Sequence, residues 1–312
     1  MSELILHHYA ASPFSEKVRL ILGYKGLAWK SVTVPIVLPK PDVVALTGGY
    51  QRTPFLQIGA DIYCDSALIC RVIERLAPKP SVYPPSAGGA APIVAQWADS
   101  ALFWVAVPYT MSQPAGVRHI MADMTPEALK AFGADRAAMT AGMRRATPSD
   151  AAAQLKTYLG WIEYQLADER RFLCGAEASI ADFSVAQSVW FIRRAPPVAT
   201  VLAPFTKVVA WYERVAAFAP PRAEQIGSAE AIAIAAAAGP TAPPTFEAEP
   251  GLAHGEAVTV SATDYGRDPV AGTLVGLSRD EVAIERRDER AGRVVVHFPR
   301  IGFQIRKEDA ST

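Results

Sequence analysis

The chain has 312 residues, half of them apolar and a fifth charged, enough for two domains and possibly a third, with cores that need no staples. Its 31 Lys+Arg and 31 Asp+Glu cancel, which argues against a dedicated nucleic-acid binder, because phosphate contacts need clustered excess positive charge. The longest strongly apolar stretch, Ala101 to Pro108, falls far short of the ~20 residues of a membrane span, and the N-terminus has neither the basic nor the apolar region of a signal peptide. Leu4 to Tyr9 reads as a strand that ends at Ser12-Pro13. Val18, Ile21 and Leu22 then recur at helical spacing. Leu27 to Val34 is a second strand. A short helix spans Asp42 to Leu46 after a Pro-rich stretch. Phe55 to Cys64 is a hairpin turning at Gly59, and Ser66 to Leu76 is an amphipathic helix. The order over the first eighty or so residues is β-α-β-(α)-β-β-α.

From Pro92 to about Ala238 the period is helical, with helices expected at Ala91 to Met111, Pro126 to Met143, Ser149 to Asp168, Ile180 to Arg193 and Pro204 to Phe218. An Ala-rich helix closes the run. Gly239 to Gly251 carries Pro240, Pro243, Pro244 and Pro250 and reads as a linker. Beyond it the period switches to two. Short strands at Val258, Gly272, Val282, Val294 and Gly302 predict a small β-barrel that packs on its own chain or a second copy and takes no part in chemistry. Nine Lys+Arg and ten Asp+Glu between Glu256 and Asp309 give that segment no basic face. The domains are thus expected at 1–80, 90–238 and 252–309.

Cys64, Cys70 and Cys174 form neither a disulfide framework nor zinc spacing, which points to a reducing, cytoplasmic compartment. His7-His8 lacks a third ligand at metal spacing, so no metal site is expected. Three motifs carry chemistry. Ser12-Pro13-Phe14-Ser15 stands where a strand ends and a helix begins, either as an N-cap or as a hydroxyl beside the helix N-terminus able to stabilise a thiolate. Thr53-Pro54 enters a strand; the base rate for X-Pro bonds favours trans. Asp65-Ser66 opens a helix, as a cap or as a receptor for a ligand carboxylate.

Together these motifs, one small β-α-β-ββα unit and the helical bundle after it resemble the glutathione transferase family over roughly residues 1–238. Ser179-Ile180-Ala181-Asp182 after Phe172-Leu173-Cys174-Gly175 looks like the capping box of that family's helical domain. The resemblance implies an α+β/α multidomain fold: a thioredoxin-like βαβ-ββα domain, an all-helical domain and, here, the added C-terminal β-barrel. It implies a cis Thr53-Pro54 bond. It further implies that Thr53 pairs through its backbone with the cysteinyl part of glutathione, that Asp65 and Ser66 hold the γ-glutamyl end, and that the Ser12 hydroxyl faces the sulfur. Glutathione would be the co-substrate, a small apolar electrophile the second partner, and the protein a homodimer that binds neither nucleic acid nor membrane. Asp65 stands where the family more often has Glu, and Val37 to Gly49 is Pro-rich, leaving Lys40 and, just after it, Arg52 as the nearby cations for the glycyl carboxylate. Trp97, Phe103, Trp104 and Tyr109 share one helix as core or pocket lining. Tyr9 is the next candidate should Ser12 not meet the sulfur. The alternative of another class is a binding or scaffold protein on the same fold without turnover. Dithiol oxidoreduction is disfavoured, because Ser12 and Ser15 stand where it needs cysteines.

Overall fold

A computed structural model describes residues 3–220, 223–240 and 245–308. β1 (Ile5–His8) and β2 (Lys30–Thr33) are parallel and joined by α1 (Pro13–Tyr24). After α2 (Pro41–Thr47) the chain forms the hairpin of β3 (Phe55–Ile58) and β4 (Asp61–Cys64), then α3 (Ser66–Leu76). β3 runs antiparallel to β1. Alternation along these strands sends Leu6, Leu56 and Ile58 toward α1 and α3, where they meet Val18, Leu68 and Ile69. Ile5 and Val32 point the other way.

The helical region begins with α4 (Ala90–Trp97), which continues through a π-helical turn at Ala98–Leu102 into α5 (Phe103–Met111). Then come α6 (Pro114–Ile120), α7 (Pro126–Met139), α8 (Pro148–Gln165), α9 (Ile180–Arg193), α10 (Pro196–Ala199) and α11 (Thr206–Ala216). Residues 90–111 are, among the described residues, the one helix long and apolar enough to cross a membrane by length and composition. It lies against α8 and α9, and Asp99 in its π turn is ion-paired to Lys17 of α1 at 2.6 Å. The expected capping box forms at the start of α9. Asp182 accepts from the Ser179 N–H, the Leu173 N–H and the Trp211 indole, each at 2.8 Å, so one buried carboxylate ties three segments.

A short strand, β5 (Glu224–Gln225), pairs with β2, and α12 (Ser228–Ala238) packs Ala231 against Ile5 and Val32. Of the expected linker, residues 241–244 lie outside the described residues. Thr245 and Glu247 just beyond them exchange backbone bonds with Leu277. The C-terminal strands are β6 (Ala257–Ala262), β7 (Val270–Leu277), β8 (Glu281–Asp288), β9 (Gly292–Pro299) and β10 (Phe303–Lys307). All five expected strands form, but the barrel does not. Closure would need a bond between β9 and β10, whereas β9 gives its second edge to β4, in parallel, with Asp61, Ile62 and Tyr63 opposite Val295, Val296 and His297. The result is one open sheet ordered β10-β6-β7-β8-β9-β4-β3-β1-β2-β5. A single buried cluster spans the seam, joining Val43, Leu46, Phe55 and Ile62 to Val260, Leu274, Ile284 and Phe298. Gly48 ends α2 at φ +76°, and a Cβ there would meet the Arg286 side chain at 2.5 Å.

The seam also holds a buried ionic cluster. His297 Nδ1 lies 2.6 Å from Glu281 and Nε2 3.2 Å from Asp61, with its ring stacked on Tyr63 at 4.4 Å. Arg75 reaches Glu281 at 3.1 Å from the solvent side. Burial opposes the charge on His297, but the bonds to Asp61 and Glu281 outweigh it and raise its pKa. A raised folded-state pKa means that the charged imidazole adds stability present in full below the unfolded value of about 6.5 and lost as pH rises through the folded value. His297→Leu, which takes the imidazolium from between Asp61 and Glu281, is therefore expected to cost about 3–5 kcal/mol at pH 6. Urea melts should show that cost shrinking at pH 9. A cost equal at both pH values would contradict the charged clamp.

Candidate functional site

Two adjoining cavities open where the N-terminal strands, the helical region and the β6–β7 loop meet, with volumes of about 430 and 250 Å³. Phe14, Arg52, Thr53 and Tyr265 line both. Ser12, only 2% exposed, is the N-cap of α1. Its Oγ accepts from the Ser15 N–H at 3.2 Å and lies 3.5 Å from the Thr53 carbonyl, a contact at the outer limit of a hydrogen bond. Pro13 occupies the first turn, where its missing N–H costs nothing, and Ser12, Pro13 and Phe14 at this helix N-terminus line the smaller cavity. Burial pushes the Tyr9 phenol up, while Arg136 and a hydrogen bond with Ser12 pull it partly back. The Thr53–Pro54 bond is cis. The base rate alone favoured trans; the resemblance carried the correct expectation.

Asp65 sits at φ +73°, a conformation that costs any residue except glycine, and its Oδ1 accepts from the Ala67 N–H at 2.8 Å to cap α3. Burial raises its carboxyl pKa, against the Ala67 N–H and the charges of Arg52 and Lys17. Ser66 follows as the first residue of α3 and is buried. Thr53, Pro54, Asp65 and Ser66 all line the larger cavity, and Ser12 joins Thr53 on the smaller one. All five singled-out residues therefore border one continuous cleft. Beneath it, Lys17 is fully buried. Desolvation opposes its charge, but Asp99 wins and raises its pKa. Asp99 also accepts from Gln187 at 2.7 Å.

The third wall has no local signature in the chain. Arg52, 8% exposed, donates to the Asp264 carboxylate and to the Tyr265 carbonyl, and its guanidinium lies 3.7 Å from the centre of the Tyr265 ring. That ring meets Trp104 edge-on at 5.1 Å, and the loop is pinned by a 2.8 Å bond from the Gly266 N–H to the Met139 carbonyl. The C-terminal strands pack on their own chain, one of the two expected arrangements, and their β6–β7 loop lines the cleft. The Tyr265-Gly-Arg-Asp-Pro turn was readable as a turn, but nothing local tells which surface it covers 212 positions away. Of the two candidate cations, Arg52 is committed. Lys40, 4% exposed, donates only to the Gln51 carbonyl at 3.1 Å and is in no ion pair among the described residues. Burial and the neighbouring Arg136 bring its pKa down to about 8, with Asp135 opposing.

The structure divides the expected aromatic face. Phe103 and Trp104 line the smaller cavity, whereas Trp97 packs on Tyr158 and Trp161 away from it. His7 and His8 are buried packing groups bonded to Gln57 and Ser31, and burial lowers each to about 4. Burial pushes Cys70 up to about 12 and raises Cys64 and Cys174 as well, so all three thiols are held protonated. Among the described residues no group of three His, Cys, Asp or Glu side chains is arranged to hold a metal ion.

Comparison with known proteins places this geometry in a family. Residues 6–81 match the domain described as glutathione S-transferase, N-terminal domain, and residues 126–214 match glutathione S-transferase, C-terminal domain. The crystal structure of a GST-like protein from Pseudomonas syringae is 40% identical, covers 99% of this chain and 100% of its own, and superposes with a TM-score of 0.81. The similarity therefore includes the C-terminal strands. A glutathione S-transferase from Rhodospirillum rubrum is 21% identical over 68% of this chain and 87% of its own, with a TM-score of 0.51. A rice GST solved in complex with glutathione is 16% identical over 71% and 92%, also at 0.51; both share the fold. Among curated proteins, none matches the chain.

The Asp65 geometry separates two effects that one substitution would merge. Asp65→Ala loses the cap and keeps the unfavourable φ, whereas Asp65→Gly loses the cap and relieves the φ. Thermal melts should place the Gly variant about 1 kcal/mol above the Ala variant. A Gly variant no more stable than the Ala variant would show that φ +73° carries no cost here.

Proposed function

The chain belongs to the glutathione S-transferase family, and on that premise we propose that it binds glutathione across both cavities and activates its thiol for attack on a small hydrophobic electrophile. The observation that carries this reading is the convergence of Ser12, Thr53, Asp65 and Ser66 on one cleft between the N-termini of α1 and α3. Ser66 and the free N–H groups of α3 take the γ-glutamyl carboxylate, and Asp65 takes the amine. The Thr53 backbone pairs with the cysteinyl unit. Lys40, a buried ammonium with only a carbonyl for partner, takes the glycyl carboxylate, since Arg52 is already neutralised by Asp264.

The glutathione thiol has an ordinary pKa of about 8.5 and is mostly protonated at pH 7. The Ser12 O–H, in long contact with the Thr53 carbonyl and hydrogen-bonded with Tyr9, turns to the sulfur, and the α1 dipole adds to its pull on the anion. The thiol proton leaves to water. The sulfur lone pair then forms the bond to the electrophilic carbon, whose leaving group departs with its electron pair. Ser12 is a hydrogen-bond donor in this scheme and forms no covalent bond. No cysteine of the chain competes, because each thiol is held protonated by burial. These protonated thiols fit a reducing, cytoplasmic setting. The closure of Arg52 by Asp264 favours a second reading, glutathione binding without turnover, and conjugation assays on protein that binds glutathione decide between them.

Ser12→Ala should lower the conjugation rate more than it weakens binding, and the thiolate absorbance of bound glutathione should titrate at higher pH. An unchanged titration would transfer the role to Tyr9. Ser66→Ala should weaken binding by about 1–3 kcal/mol, the scale of a hydrogen bond to a charged group. S-methylglutathione, whose sulfur does not titrate, leaves its own amine and Lys40 as the groups that titrate near pH 8. Calorimetry should show its affinity falling as pH rises past about 8, where both lose their protons, and Lys40→Gln should make that fall shallower by removing the Lys40 part. No binding of either peptide at millimolar concentration would refute the site. As a family member the chain is also proposed to be a homodimer; light scattering at the monomer mass of 33.5 kDa across a dilution series would contradict this.

A further inference from the structure

The smaller cavity has a composition unlike the rest of the cleft. Its apolar wall is built from flat and polarisable side chains: Phe14, Phe103, Trp104 and Phe132, with Met111 and Met121. Phe14 and Phe103 lie 4.5 Å apart, and Trp104 stands edge-on to Phe103 at 5.1 Å, so the wall presents ring faces and edges at right angles. Four cationic side chains, Lys40, Arg52, Arg136 and Arg145, border the cavity and no carboxylate does. The larger cavity mixes the signs, with Asp65, Asp99, Asp264 and Asp280 beside Lys17, Arg52, Arg71, Arg279 and Arg300.

Two of the four cations are accounted for, Arg52 by Asp264 and Lys40 by the proposed glycyl carboxylate. Of the other two, Arg136 has Asp135 beside it and Arg145 has no ion-pair partner among the described residues. Arg136 donates to the Ile36 carbonyl at 2.7 Å and to the Met139 sulfur, and Asp135 stands 3.4 Å away on the side that does not line the cavity. A guanidinium has five N–H donors, so most of its fork is unspent. Arg145 makes one long bond, 3.4 Å to the Arg136 carbonyl, and is in no ion pair among the described residues.

We propose that the second substrate of this site is an aromatic electrophile bearing an anionic substituent, its ring on the Phe103–Trp104 wall and its carboxylate on Arg136 and Arg145. The inference rests on the glutathione reading for the identity of the nucleophile, but not for the charge of the ligand. The cavity of about 250 Å³ has room for a substituted ring. An uncharged aromatic compound would leave the exposed Arg145 without a counter-charge and Arg136 with Asp135 alone, whereas a ring carboxylate between them adds charge-assisted bonds to both.

The test is calorimetric binding of 4-chloro-3-nitrobenzoate and of its methyl ester to the full-length protein. The acid should bind at least about tenfold tighter than the ester, the lower end of what a charged hydrogen bond contributes. Arg136→Gln and Arg145→Gln should each bring that ratio toward one. Arg136 also ties the loop at Ile36, so its variant can lose fold; Arg145, with its single long bond, supplies the second variant. Equal affinity for acid and ester, or a preference that both variants keep, overturns the proposal. A preference that persists under saturating S-methylglutathione assigns the anion to the arginines; one that vanishes assigns it to Lys40 and overturns it. Preferential binding of the acid without any conjugation upholds this inference while removing the catalytic reading.

Discussion

The edge of β4 decides the architecture. Left unpaired, that strand would end a small sheet, and an open edge with free N–H and C=O groups is a liability. Here β9 takes it in parallel register, and the meander β6–β9 is thereby fixed in the plane of the N-terminal strands. The side chains follow the backbone. Val296 and Phe298 share a core with Ile62 and Phe55, and His297 is clamped between Asp61 and Glu281. A segment joined through a proline-rich stretch is in this way held at one distance from the cleft, and the β6–β7 loop reaches over Arg52 and Trp104.

That reach sets the electrostatics of the cleft. Arg52 would be a buried cation aimed at ligand, but Asp264 neutralises it and the Tyr265 ring covers its face. The smaller cavity is also bordered by Lys40, Arg136 and Arg145 and by no carboxylate, while around the larger one Asp65, Asp99, Asp264 and Asp280 stand among Lys17, Arg71, Arg279 and Arg300. A zwitterionic peptide and an anionic aromatic ring are the ligand pair that this division complements. Desolvation makes the division matter. Lys40 loses hydration without gaining an ion pair, which is why its pKa drops to about 8 and why a ligand carboxylate would restore its charge.

Much of this was legible in the chain, for reasons that are local. Ser12-Pro13 and Asp65-Ser66 announce helix starts because caps and first-turn prolines satisfy local backbone demands, and both helices begin there. The Ser179–Asp182 box is equally local. The closed barrel was wrong because closure depends on which edges meet, and strand alternation says nothing about edges. One signal was present: Val294-Val-Val-His-Phe is an unbroken run, and β9, packed by α12 and α3 as well as by its neighbouring strands, is buried along Val294–Pro299. The short helices α6 and α10 and the two-residue β5 were too brief to show a period. Tyr265 and Asp264 were invisible as site residues because their role depends on a contact across 212 positions.

Whether the C-terminal strands belong to the site is the claim on which the account turns, and hydrogen exchange of the full-length chain tests it directly. Saturating glutathione should slow exchange together at the Thr53 segment, at the Ala67 N–H of α3 and at Tyr265 and Gly266 of the β6–β7 loop. Protection at the first two with unchanged exchange at Tyr265 and Gly266 would place that loop outside the site and contradict the account.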